Sequence, residues 1–126
     1  MLSLISRIFG DPSDKKLKNY QKDLENIKAI ETNMQTEIQS IEEVQARTHV
    51  FQGLFAGLDI DNTEDREKIR EILESIKHEA FALHRRACTL IYGKEFSFGP
   101  EKKITWNMIP FDVQLIGALA LHDGNI

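Results

Sequence analysis

The sequence predicts a mostly α-helical chain, and three observations support this prediction. Its 126 residues fit one ordinary domain and include only three prolines and seven glycines, a composition typical of helices. From residue 17 onward, apolar residues recur every three or four positions, which is the period of a helix with one packed face. Turn-forming residues interrupt that period at 57–63 and again at 93–105, so we expect long helices separated by short connections.

The composition argues against several classes of protein. A formal net charge of −4 argues against a general nucleic-acid binder. The single cysteine, Cys88, excludes an internal disulfide and fits a reducing cytosol. No apolar run approaches the ~20 residues that a membrane span requires. The N-terminus also lacks the basic lead and the long apolar core of a signal peptide.

Residues 1–10 are predicted to form a short amphipathic surface helix. Basic residues follow at once: in residues 1–22, five Lys or Arg and two Asp give a net charge of +3 within an acidic chain. This pattern suits an anionic membrane surface or ribosomal RNA. It equally suits a helix that docks on the rest of a larger protein and leaves its lysines in solvent. The predicted contact residues are Leu2, Ile5, Arg7, Ile8, Phe9, Lys15, Lys16 and Lys18.

Residues 11–93 are predicted to form long packing helices. The spacing of Ser40 and the glutamate three residues later is that of a capping box, which predicts a break between two helices. Either Asn62 or Thr63 is expected to cap the next helix, which runs from Glu64 to about Ile91.

His84 and Cys88 lie four residues apart on one face of that last helix, and both residue types bind zinc. A structural zinc site needs two further ligands, and no partner pair is visible in the sequence. A packed thiol beside an interfacial histidine is therefore the preferred interpretation. The histidines also match no arrangement of a nucleophile, a base and an acid. We therefore predict no metal ligand and no catalytic residue.

Residues 94–105 are predicted to form a loop or a hairpin. Gly99 and Pro100 favour a turn, and apolar residues alternate with polar ones on both sides of it. That alternation suits two short paired strands.

The last segment, residues 106–126, combines apolar side chains with one amide, Gln114. Pro110 suits the first turn of a helix, and Gly124 suits its left-handed C-cap. This helix is apolar most of the way round, which predicts burial in something larger. A carboxamide donates to N7 of adenine and accepts from its N6 amino group, while apolar side chains cover the ring. A lone Gln at a helix start is more commonly exposed or bonded to nearby backbone, so both interpretations stay open here.

The segment FDVQLIGALALHDGNI resembles the nucleotide-binding Q motif of the SecA family, the bacterial preprotein-translocating ATPases. In that family a similar run, PFDVQLIGGxxLHxGxIAEM, leads into the phosphate-binding loop TGEGKT. By position, Gln114 matches the glutamine that recognises adenine, and Met108, Ile109 and Phe111 match residues that line the base. EAFALHRRACTLIYG is similar to the family's EAFAVVREAARRVLG. MLSLISRIFGDPSDKKLK is similar to its N-terminus, a segment implicated in contact with acidic phospholipid and the ribosome.

The chain departs from the family's pattern at four places. The family often has an arginine or a histidine near Ile109 and Pro110. Ala118 stands where the family usually has a second glycine. Many family members have almost nothing at residues 94–105, and one hypothesis is that the extra residues bring Trp106 onto the rim of the base site. The phosphate loop, its lysine and the magnesium ligands are not among these 126 residues.

The resemblance implies a fold and a function. The fold would be the mostly α N-terminal segment of a RecA-like α/β motor domain, with residues 106–126 as the adenine-binding helix and the rest of that domain packed against it. The function would be ATP-driven export of preproteins through the SecYEG channel, from the cytoplasmic face of the cell membrane, with Mg²⁺ bound by the intact parent. These residues alone would lack ATPase activity. The alternative is a stand-alone helical adaptor that docks on a membrane or a ribosome.

Overall fold

The computed structural model describes residues 12–125, and in that range it is mostly helical, as predicted. The helix expected at residues 1–10 lies outside the described residues. The elements are α1 (Pro12–Glu37), α2 (Ile41–Gly53), α3 (Thr63–Ile91), β1 (Glu95–Ser97), β2 (Lys103–Thr105) and α4 (Asp112–His122).

The break between α1 and α2 is a capping box, which confirms the prediction at Ser40. The Ser40 hydroxyl accepts a hydrogen bond from the Glu43 backbone N–H at 3.2 Å. The Glu43 carboxylate accepts one from the Ser40 backbone N–H at 3.1 Å. These two bonds satisfy donors that the start of a helix would otherwise leave unpaired.

Polar and glycine caps also set the limits of α3. The Asn62 side chain accepts hydrogen bonds from the backbone N–H groups of Glu64 and Asp65, so Asn62 is the cap. Just beyond the helix, Gly93 has a φ of +79°, a conformation that glycine adopts without steric cost. The chain can therefore turn sharply at Gly93 and enter β1.

The hydrophobic core lies where α1 packs against α3 and α4. Ile27 of α1 is fully buried at 0% exposure, and Leu115 and Leu119 of α4 are 2% and 1% exposed. The opposite side of α4 is open, since Val113 is 72% exposed and Leu121 is 66% exposed. Only one side of this apolar helix is thus covered by the described residues. The buried cluster consists of Leu24, Ile27, Met34, Ile38, Ala82, Leu83, Leu115 and Leu119.

Ion pairs fix the start of α4 on both neighbouring helices. A carboxylate oxygen of Asp112 lies 3.0 Å from Lys28 Nζ of α1, and the other lies 3.2 Å from Arg85 Nη1 of α3. The hydrogen bond from Lys28, with a smaller effect of Arg85, lowers the pKa of Asp112 below its ordinary value of 3.8. The resulting stabilisation is present above that ordinary pKa and is lost as the pH falls through the lower, folded-state pKa. Lys28 and Asp112 are 52% and 48% exposed, so the contribution is small.

Residues 94–105 form the hairpin of β1 and β2, antiparallel, with Phe96 paired to Ile104. The turn contains Gly99, whose φ is +87°. In the part of the chain that the structure describes, no helix combines the length and the apolar character needed to cross a membrane.

We expect Ile27→Ala to lower the free energy of unfolding by about 2–5 kcal/mol, because it removes a buried side chain and leaves a cavity. Chemical denaturation followed by circular dichroism measures this loss. Leu17→Ala is the matched control on the same helix, because Leu17 is 45% exposed, and we expect a loss of about 0.5 kcal/mol or less. Equal losses in the two variants would show that the cluster around Ile27 does not hold the helices together.

Candidate nucleotide-base site

The N-terminus of α4 carries the polar group of the candidate site. The helix begins at Asp112 with Phe111 as its N-cap, so Pro110 precedes the cap, and the prediction that it occupies the first turn is wrong. The phenylalanine side chain cannot accept the hydrogen bond that a polar N-cap would take from the first turn. Gln114 instead supplies the other half of a capping box, in which a side chain accepts from the backbone N–H of the N-cap residue. The Gln114 Oε1 atom accepts from the Phe111 backbone N–H at 2.8 Å.

This cap determines which groups of Gln114 remain for a ligand. The bond to nearby backbone, one of the two interpretations of Gln114, is present in the structure. It does not exclude the other, because an amide oxygen has a second lone pair and the amide nitrogen has two hydrogens. An adenine ring would need one acceptor and one donor side by side. The capped carboxamide still presents both.

An apolar cavity of about 760 Å³ lies beside Gln114. One wall comes from α3, another from the segment that precedes α4, and a third from α4 itself. Its volume falls in the range typical of small-molecule sites. Two of the lining residues, Met108 and Phe111, are 57% and 73% exposed. The lining residues are Ala80, Phe81, His84, Cys88, Trp106, Asn107, Met108, Ile109, Pro110, Phe111, Gln114, Leu115 and Ala118.

All four residues predicted to contact the base line this one cavity, and Trp106 joins them. The sequence did not single out Ala80, Phe81 or Asn107 as cavity residues. For Ala80 a pattern was available, since it lies four residues before His84 and eight before Cys88, on the same side of α3. That periodicity predicts a shared face but not what the face contacts.

His84 and Cys88 share a wall of the cavity. The Cys88 Sγ atom lies 3.9 Å from His84 Nε2. Burial raises the pKa of the Cys88 thiol. Cys88 is buried, which confirms the interpretation of a packed thiol, whereas His84 is exposed. The interfacial position expected for this histidine stays a prediction.

A different group of potential metal ligands meets at the C-terminal end of α4. Within residues 12–125, the side chains of Glu74, His122 and Asp123 approach one another closely enough to share an ion. Lys77 Nζ already lies 3.1 Å from Glu74, and His122 Nε2 lies 3.1 Å from the other oxygen of that carboxylate. The cluster therefore has its own positive partner in Lys77, and the contact between His122 and Glu74 joins α4 to α3.

Of the basic residues predicted to contact a membrane or ribosome, the structure describes Lys15, Lys16 and Lys18. All three are exposed on the first turns of α1. The other predicted contacts, Leu2, Ile5, Arg7, Ile8 and Phe9, lie outside the described residues.

Comparison with known proteins identifies the family. A profile of the SecA DEAD-like domain matches residues 5–126. Protein translocase subunit SecA from Gloeobacter violaceus is 34% identical over 96% of the chain. The subunit of the same name from Trichodesmium erythraeum is 36% identical over 98% of it, and that from Prosthecochloris aestuarii is 31% identical over the whole chain.

The chain spans only a small part of these relatives: 12% of the Gloeobacter protein, 11% of the Trichodesmium protein and 15% of the Prosthecochloris protein. No solved structure gives a significant match. The profile covers nearly all of the sequence, however, from the fifth residue to the last. This chain therefore belongs to the SecA family of protein translocase subunits.

Proposed function

We propose that this chain is the N-terminal part of a SecA-type, ATP-driven motor that exports preproteins, and that it contributes recognition of the adenine of ATP. The supporting observation is that Gln114 and the apolar residues Met108, Ile109 and Phe111 line one cavity. The relatives that match the chain are translocase subunits by name, which supports the wider motor function.

Gln114 would read the edge of the base. Its Nε2 group donates to adenine N7, and Oε1 accepts from the N6 amino group while keeping its bond to the Phe111 backbone. Guanine has an oxygen in place of that amino group, and it would face Oε1 with no hydrogen between them. Two acceptors in contact leave both unpaired, so guanine is disfavoured.

Apolar side chains would cover the faces of the ring. Trp106, Met108 and Phe111 line the cavity around Gln114, and a purine ring stacks on aromatic or apolar side chains at a gain of about 1–3 kcal/mol per base. The edge contacts and the face contacts therefore recognise different properties of the base: the amide selects adenine and the apolar wall retains it.

ATP hydrolysis would depend on the remainder of the translocase. Phosphoryl transfer requires a backbone that holds the phosphates, a lysine and Mg²⁺, and these 126 residues contain no sequence of the TGEGKT type. The Mg²⁺ would be bound by residues of the intact parent. The contribution of this chain is to bind and orient the base.

Membrane and ribosome contact would come from residues 1–10 and the lysines that follow them. Lys15, Lys16 and Lys18 are exposed at the start of α1, where positive charge favours anionic lipid headgroups or RNA. The proposed partners are anionic phospholipid, the ribosome, the SecYEG channel and the preprotein. This arrangement corresponds to a cytoplasmic protein bound peripherally to the inner face of the cell membrane.

Gln114→Glu separates reading of the base from capping of the helix. A glutamate keeps an acceptor for the Phe111 N–H, and its negative charge is favourable at a helix N-terminus, so we expect unchanged helical content. It lacks the donor for adenine N7. We therefore expect adenosine affinity to fall by about 5- to 150-fold, which corresponds to about 1–3 kcal/mol. Titration followed by the fluorescence of the single tryptophan measures the affinity.

Two comparisons complete that experiment. Gln114→Ala removes both the cap and the base contact and should lower helical content as well as affinity. Guanosine should bind the unaltered chain more weakly than adenosine. Equal affinity of the unaltered chain and Gln114→Glu for adenosine would refute base reading by this amide.

We expect the 126 residues alone to release no phosphate from ATP above the buffer rate, because the groups that stabilise the transferring phosphoryl group are not among them. A colorimetric phosphate assay on protein freed of contaminating ATPases measures the rate, with an intact SecA-type protein as the positive control. Phosphate release that tracks the pure chain through gel filtration would contradict this expectation.

We expect deletion of residues 1–10 to abolish binding to vesicles that contain anionic lipid, measured by cosedimentation. Vesicles of neutral lipid are the control and should not bind the intact chain. Replacing Lys15, Lys16 and Lys18 with glutamine should weaken binding by about 1 kcal/mol for each lysine near the surface. If the deletion leaves binding unchanged, the N-terminal segment is a docking element within a larger protein instead.

A further inference from the structure

We propose that Phe96 is a positioning residue for Trp106, so that the hairpin of β1 and β2 acts as a support for one wall of the base site. This inference rests on the adenine-binding function proposed above. It adds a residue that is not itself part of the cavity lining, within a segment that many SecA sequences lack.

The hairpin has one apolar face and one polar face. Phe96 is paired directly with Ile104, and side chains two residues apart in a strand share a face. Phe98 therefore extends the apolar face towards the turn, and Trp106 extends it towards the open end of the hairpin. On the polar side, Lys103 and Glu95 form an ion pair at 2.8 Å.

Backbone bonds extend the hairpin as far as Trp106. The Trp106 N–H donates to the Lys94 carbonyl oxygen at 2.8 Å, and the Gly93 N–H donates to the Trp106 carbonyl oxygen at 2.8 Å. These two bonds continue the ladder beyond the last residue of β2. They fix the point from which the indole side chain projects.

Two side-chain contacts then fix the indole ring. Its Nε1 group donates to the Met108 carbonyl oxygen at 2.7 Å. Phe96 meets it edge to face, with ring centroids 6.5 Å apart and an interplanar angle of 75°, an arrangement that aromatic pairs favour. Diagonal neighbours on one face of a hairpin are within reach for aromatic side chains. The hydrogen bond anchors one edge of the indole, and Phe96 limits rotation about that anchor.

Rigidity of Trp106 matters because Trp106 lines the cavity and Phe96 does not. A ring that is already held in place loses less freedom when a ligand packs on it, so binding is stronger for the same contacts. Phe96 therefore affects the base only through Trp106. A structural contribution of Phe96 alone would change the hairpin without changing affinity for the base.

Trp106 is the only tryptophan of the chain, so its fluorescence reports on this contact directly. We expect Phe96→Ala to lower the fluorescence anisotropy of Trp106 without ligand and to weaken adenosine binding by about two- to tenfold. Adenosine is the probe because it needs no phosphate-binding loop. Phe98→Ala is the matched control, since Phe98 lies on the same face but is 63% exposed, and it should change neither quantity. Phe96→Tyr keeps the ring and should restore both.

Unchanged Trp106 anisotropy in Phe96→Ala overturns the proposal. A lower anisotropy with unchanged adenosine affinity also overturns it. Phe96→Leu, which keeps apolar bulk without an aromatic edge, replaces Phe96→Ala if the latter loses helical content, and the same losses are expected. A different outcome is expected if the chain does not bind adenine at all. The unaltered chain then shows no response of Trp106 to adenosine, and the base-site inference is overturned together with that function.

Discussion

The packing of α4 against α1 determines where the candidate site lies. Leu115 and Leu119 enter the cluster around Ile27 and are almost wholly buried. Because these two leucines lie one turn apart, they fix the rotation of α4 about its own axis as well as its position. That rotation brings Gln114 and Ala118, which are neighbours on the helix surface, to the cavity. A rotation of α4 about its axis would carry Gln114 and Ala118 away from the cavity.

One carboxamide, that of Gln114, both caps α4 and presents polar groups to the cavity. These two tasks support each other. A glutamine side chain loses up to about 2 kcal/mol of rotational freedom when it is fixed, and the bond to the Phe111 backbone imposes that restriction before any ligand arrives. If the amide rotated freely, this loss of freedom would occur on binding and would reduce the affinity for the base. The bond to the Phe111 backbone is the alternative explanation for Gln114. The same bond would also increase the affinity for a base, because the amide is already held in place.

The sequence predicts the local features of this fold well and the long-range ones poorly. The capping box at Ser40, the Asn62 cap and the hairpin depend on residues a few positions apart, and the structure has all three. The start of α4 was misplaced because proline suits a position just before an N-cap as well as one just after it. The sequence does not predict Ala80 and Phe81 as cavity residues, because the cavity that they line with residues 106–118 joins distant parts of the chain. No periodicity within one helix specifies which other segment will cover it.

The mostly apolar helix α4 has sides with different surroundings. Leu115 and Leu119 face the core, Gln114 and Ala118 face the cavity, and Val113 and Leu121 are exposed. A free-standing adaptor would be expected to place polar residues on its solvent side, whereas α4 has valine and leucine there. If the chain is part of a SecA-type motor, as proposed above, the rest of that motor would be expected to cover this side. On this view α4 lies between the helices of this chain and the rest of the motor domain. A base bound beside Gln114 would then lie at the edge of the contact between the two.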